Sequence, residues 1–142
     1  MSDEITREVV QALTWMETQP DSAAVFHAAV VNHLFVCGFR VRTEICVELP
    51  SGKGGRIDLV AYDNRGAVAI ELDNRRPRRK SLDKLSVFDG GRVVVLRGVP
   101  PIRKPEGIDA IIAIPVRTAT RREVSDKTAV TRTTRKFRGR SA

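Results

Sequence analysis

The spacing of apolar residues changes period at Gly38, and that change restricts the chain to a sheet preceded by two helices. Ahead of it, Ile5, Val9, Ala12, Leu13 and Met16 recur at the spacing of one helix face over residues 3–18, and Pro20 stops the run. A second helix is expected from Asp21 or Ser22 as N-cap, through Ala24, Val25, Ala28, Val31, Leu34 and Phe35, to Gly38 just past its end. It is apolar nearly all round, which predicts burial. Beyond Gly38 the period is two. Val41, Thr43, Ile45, Val47 and Leu49 are expected on one face of a strand, with Arg42, Glu44, Cys46 and Glu48 on the other.

The turn-rich residues 50–55 lead to a strand over Arg56–Tyr62, and Asp63-Asn64-Arg65-Gly66 makes a tight hairpin into Ala67–Asp73. Three strands then form an antiparallel meander. Ser81 is expected to cap a short helix over Leu82–Phe88 that ends at Gly90-Gly91. Arg92–Arg97 reads as an interior strand buried on both faces, and Ile108–Val116 as a last strand whose Pro115 marks an edge or an end. The order α-α-β-β-β-α-β-β predicts one α/β domain over residues 1–116, a mixed central sheet flanked by helices.

Charge divides the chain differently. The 142 residues carry a formal charge of +8, and residues 117–142 hold nine basic side chains against two acidic ones. This tail has no apolar periodicity, so it is expected to be disordered and to bind phosphates, with Arg135, Lys136 and Arg138 among its contacts. A second basic segment, Arg75, Arg76, Arg78, Arg79 and Lys80, follows directly on the third strand, and Lys53 and Arg56 flank the glycine-rich turn. With one Trp, one Tyr and five Phe, mostly in apolar runs, the chain lacks a stacking platform for single strands or RNA bases. Duplex or branched DNA is the expected partner.

Two cysteines inside apolar stretches support neither a disulfide framework nor a zinc site. The acidic, mixed opening is not an export signal and no apolar run reaches membrane-spanning length, so a cytoplasmic protein without membrane contact is expected. Residues 51–56 lack the P-loop pattern. His27 and His33, six apart on one helix, cannot share a metal from one face and are expected to be packing or helix-surface residues.

Asp58, Glu71 and Asp73 interrupt apolar strands, where an uncompensated carboxylate is costly to bury. Alternation puts Ala67, Ala69, Glu71 and Asp73 on one face and Val68, Ile70 and Leu72 on the other. If the hairpin pairs Ala61–Asp63 with Gly66–Val68, Asp58 lies opposite residue 71, and three acids crowd one end of the sheet. Such a group holds either a proton or a hard cation.

A helix ending in Gly-Phe, a strand with a central Glu44, then Gly-Arg-Ile-Asp-Leu-Val, a hairpin, Ala-Ile-Glu-Leu-Asp and a short basic helix resembles the core of the PD-(D/E)XK (restriction-endonuclease-like) nucleases over residues 21–97. The resemblance implies a metal-dependent phosphodiester hydrolase that uses Mg²⁺, for which Mn²⁺ can substitute. Asp58 and Glu71 would be its acidic metal ligands and Glu44 the additional strand Glu. Ile57 replaces the nominal Pro of the motif. Asp73 stands where the family's catalytic Lys belongs, so a lysine of the following helix, Lys84 in preference to Lys80, would supply the missing charge. Asp73 would otherwise be a further metal ligand, or the site would be dead.

The leading expectation is therefore a DNA endonuclease, acting as a homodimer if both strands are cut. An inactive DNA-binding or assembly module on the same fold, within a DNA-processing complex, is the alternative. A basic RNA-binding structural protein is a third, weaker reading.

Overall fold

A computed structural model describes residues 2–16, 22–98 and 103–115. The basic tail, including Arg135, Lys136 and Arg138, lies outside these residues.

Two helices come first. α1 (Ser2–Thr14) buries the stripe Ile5, Val9, Leu13 and Met16, as its spacing requires, whereas Trp15 beside them is exposed. α2 (Ala23–Val36) is capped by Ser22, whose side chain accepts from the Val25 N–H, and Gly38 follows at φ +99°, the left-handed conformation that closes a helix. Its uniform apolarity does not bring uniform burial. Only Phe26, Val30 and Leu34 are buried, one stripe, while Val25, Phe35 and Val36 face outward. His33 ties the two helices together through a 2.8 Å hydrogen bond between its Nε2 and the Ala12 carbonyl.

Five strands follow: β1 (Arg40–Glu48), β2 (Gly54–Asp63), β3 (Gly66–Asn74), β4 (Gly91–Arg97) and β5 (Ala110–Ile114), in the spatial order β1-β2-β3-β4-β5. β1, β2 and β3 form the expected antiparallel meander. β4 and β5 then add in parallel, so the sheet is mixed. A parallel neighbour requires a crossover, and α3 (Arg79–Ser86) provides it between β3 and β4. β4 is buried on both faces through Val93, Val94, Val95 and Leu96.

The helices lie on opposite faces. The side chains of α1 and α2 share one core with Leu59, Ala61, Val68, Ile70, Val93 and Val95. Leu85 of α3 packs in a second core with Ile57, Val60, Ala69, Val94 and Leu96. Each aliphatic side chain fully buried in these layers contributes roughly 1.5–3 kcal/mol. Gly91 permits the closest approach: a side chain there would collide with the Thr6 hydroxyl and with Val68, so α1 sits tightly on the start of β4.

The alternation expected along β1 fails at its midpoint. Val41 packs on the α1–α2 side, but Ile45 and Val47 pack on the α3 side. Between them Glu44 adopts φ 55°, a left-handed turn of the backbone that inverts the faces beyond it. β2 inverts at the facing place, with Leu59 and Ala61 on one side and Ile57 on the other. The pairing register is the same on both sides of the inversion, Thr43 with Leu59 and Ile45 with Ile57.

Among the described residues no helix is long and apolar enough to cross a membrane. Cys37 and Cys46 are free and exposed.

Candidate functional site

The row at which β1 and β2 invert also gathers the acids. The hairpin pairs Ala61 with Val68, Tyr62 with Ala67 and Asp63 with Gly66, as the turn dictates. The β2–β3 ladder is continuous to Leu59 and Ile70 and stops there. Asp58 and Glu71 face each other at the next row, with Glu44 beyond Asp58 on β1.

At that row side chains replace the backbone ladder. Glu71 Oε2 accepts the Asp58 N–H at 2.8 Å, and Asp58 Oδ2 accepts the Leu72 N–H at 2.9 Å. The two strands are thus held by reciprocal carboxylate contacts, and backbone donors that would otherwise be orphaned in the split are satisfied. Asp58 Oδ1 accepts no hydrogen bond among the described residues.

Glu71 is fully buried. Its other oxygen, Oε1, forms an ion pair with Lys84 Nζ at 2.7 Å. The Lys84 ammonium also donates to the Arg56 carbonyl of β2 at 2.8 Å. Lys84 is itself only 5% exposed, so the pair sits inside the protein. Gly55 leaves room for it: a Cβ at that position would come 3.3 Å from Lys84 Cγ. Burial pushes the Glu71 carboxyl above its ordinary range, Lys84 pulls it back, and the nearby Asp58 charge raises it again. A buried carboxyl facing both a lysine and a second carboxylate is the kind of group that active sites contain.

Asp73 has a different environment. Oδ2 accepts the Arg78 N–H at 3.1 Å, while Oδ1 accepts from Arg78 Nε at 2.8 Å and from the Ser81 hydroxyl at 3.0 Å. The carboxylate of β3 therefore anchors the start of α3. The helix begins at Arg79, with Arg78 as an N-cap that makes no side-chain cap bond. Ser81 is buried within the helix rather than capping it, and Lys84 falls in the second turn rather than the first. The Asp73 carboxylate supplies the acceptor that the sequence reading assigned to Ser81.

Asp58, Leu72 and Asp73 line a cavity of about 300 Å³ at this end of the sheet, together with Phe26, His27, Asn74, Arg78 and Arg97. The last five complete the site from α2, from the β3 end and from β4. His27, read as a packing residue, turns toward this cavity. Helix spacing could have placed it on the face of Phe26 and Val30, but only the chain path brings that face beside Asp58. Glu44 remains exposed at the sheet edge, outside the cavity lining, and makes no hydrogen bond or ion pair among the described residues.

The basic residues surround the site at the surface. Lys53, Arg56, Arg75, Arg76, Arg79 and Lys80 are exposed. Arg75 adopts φ 53° directly after β3, and Arg79 pairs only loosely with Asp83 at 3.6 Å. Among the described residues no three His, Cys, Asp or Glu side chains gather as a cation-holding group. A hard cation would have to rest on Asp58 and Glu71 and complete its shell with water and substrate oxygens, the manner in which Mg²⁺ is commonly held. Asp58 Oδ1, unbonded, suits that role as a hard donor, whereas the Glu71 oxygens are engaged by the Asp58 N–H and by Lys84 and would have to exchange a partner for the ion.

Comparison of the chain with protein-family models, with curated proteins and with solved structures finds no match.

Proposed function

We propose that the chain is a Mg²⁺-dependent DNA endonuclease with a restriction-endonuclease-like core, hydrolysing phosphodiester bonds in duplex or branched DNA. The observation that carries this reading is the buried Lys84–Glu71 pair beside Asp58 in a split between two strands, with Asp58 itself lining a cavity. A structural ion pair does not need a second carboxylate with one oxygen left unbonded.

Asp58 and Glu71 would hold the metal, and a bound Mg²⁺ would supply positive charge against the phosphate and a more acidic water. Lys84 offsets part of the burial that raises the Glu71 carboxyl and would place an ammonium where charge develops during attack. It occupies the functional place of the missing strand lysine, approached from α3. Asp73 fixes the first turn of α3 and so positions Lys84 eleven residues further along the chain. Glu44, on the same row but exposed, is the weakest member of the set.

The surrounding exposed cations neutralise phosphates of the duplex, and affinity should fall steeply with salt. Incubation with supercoiled plasmid, with Mg²⁺ and with EDTA, tests the reading. Metal-dependent nicking abolished in Asp58→Ala is the expected result; an intact plasmid with every divalent ion tried leaves the DNA-binding module.

A further inference from the structure

We propose that the cavity beside Asp58 holds a second phosphate of the substrate strand, gripped by Arg97 and His27. This rests on the nucleic-acid reading above and adds to it a subsite distinct from the acids.

Arg97, at the end of β4, is fixed on two sides. Its guanidinium carbon stands 5.5 Å above the centroid of the Phe26 ring, and its Nε donates to Asn74 Oδ1 at 2.7 Å. No carboxylate pairs with it among the described residues, and its terminal nitrogens donate no hydrogen bond there. A cation held rigidly by a ring and an amide, with its fork unoccupied, is prepared for an oxyanion. His27 supplies a second signal. Its Nε2 is buried and has no hydrogen-bond partner, a costly arrangement that a turn of the ring toward an entering oxyanion would relieve. Both side chains line the same cavity.

The acids sharing that space do not preclude an anion. Asp73 is already neutralised by Arg78 and bonded to Ser81, and Asp58 spends one oxygen on the Leu72 N–H. A phosphodiester has two unesterified oxygens carrying one charge, enough to accept from the Arg97 fork and from the His27 Nε2–H tautomer together. A scissile phosphate positioned at Asp58 would have a strand neighbour near the cavity that Asp58 itself lines, and that neighbour is the group assigned here.

The test follows the ring signals of His27 by NMR in the full chain, in EDTA, against inorganic phosphate, deoxythymidine monophosphate and a short duplex. The His33 ring, already bonded to the Ala12 carbonyl, is the internal control. Saturable shifts at His27 with the nucleotide and the duplex, and none at His33, are expected. Arg97→Gln should weaken duplex binding about tenfold and lower the salt slope by about one, while Arg97→Lys recovers part of the loss. An unmoved His27, or Arg97→Gln binding as tightly as wild type, overturns the assignment. A response to inorganic phosphate without one to the duplex also overturns it, because the site would then serve a free anion. Plasmid cleavage is scored separately: His27 shifts with no nicking would remove the nuclease reading and keep the subsite, whereas nicking with a silent His27 would do the reverse.

Discussion

The two ends of the β2–β3 hairpin carry clusters of similar composition and opposite character. At the turn, Arg65 reaches Asp63 of its own hairpin and Glu4 and Glu8 of α1. The ladder beneath it is intact, with Asp63 opposite Gly66, and the side chains stand partly in solvent. Five residues further along β2, Asp58 and Glu71 sit where the ladder has parted, with Lys84 and Arg78 as the cations. At the turn, pairing drives the Glu8 and Asp63 carboxyls below their ordinary ranges. In the split, burial drives Glu71 above it. Charges that serve the fold are placed where pairing lowers their energy, while Glu71 is retained where burial raises it, and the compensating advantage has to be sought in binding or chemistry.

Asp58→Ala presses this contrast hardest. Cleavage should drop at least ~100-fold, the scale seen when one charge-stabilising group is lost, while duplex affinity stays nearly constant because the exposed cations are untouched. A quantitative nicking assay alongside an anisotropy titration reads both. Cleavage at the wild-type rate would place Asp58 with the structural charges of the turn.

Lys84→Met is the next largest, and its effect falls on stability as well. It leaves a buried carboxylate without its cation, a loss of roughly 3–5 kcal/mol in urea unfolding. The double variant Lys84→Met/Glu71→Leu should regain most of that, since well-packed apolar replacements of a buried pair are commonly neutral. The pH dependence has a definite sign. Because the Glu71 carboxyl is raised in the folded state, native protein binds more protons than unfolded protein between the two values, and stability declines as pH rises through that window. Removing Lys84 raises the folded value further, so the gap between variant and wild type should widen as pH rises through the raised wild-type value.

How far the sequence foretold this split follows from what each signal encodes. Alternation in Ala67–Asp73 placed Glu71 and Asp73 on one face with Ala67 and Ala69, and the structure shows this to be the α3 face, because β3 is regular and buried on both sides. The turn residues fixed the hairpin register, and with it the meeting of Asp58 and Glu71. The inversion at Glu44 was not legible: odd-numbered apolar residues read as one face unless a backbone angle is known, and a Glu at positive φ carries no compositional mark. α2 was over-read for a related reason, since apolarity does not say how many faces find neighbours. The site's second half, Arg97, Asn74 and His27, comes from three separate elements brought together by long-range packing, which no local spacing reports.

Asp73→Asn should have a smaller effect, about 1–2 kcal/mol of stability, comparable to the loss of a helix N-cap. Ser81→Ala should cost about 1 kcal/mol through one buried hydrogen bond. Cleavage should fall less than tenfold in both, in proportion to the loosening of α3 and hence of Lys84. Thermal melts and single-turnover rates measure the two effects. A collapse of cleavage as deep as that of Asp58→Ala, with stability unchanged, would move Asp73 from positioning residue to metal ligand.

Arg65→Met is the smallest and the control for all of these. Glu8 and Asp63 have lowered carboxyl values, so their pairing with Arg65 favours the fold above the ordinary values of 4.5 and 3.8, and that contribution disappears as pH falls through the lowered folded ones. The variant should therefore melt slightly below wild type at neutral pH and converge with it in strong acid. High salt should narrow the difference, because these side chains are reached by counterions. Cleavage and DNA affinity should not change. A loss of cleavage here would mean that the latch between the turn and α1 governs the distant strand split, and the two clusters would have to be treated as one coupled system.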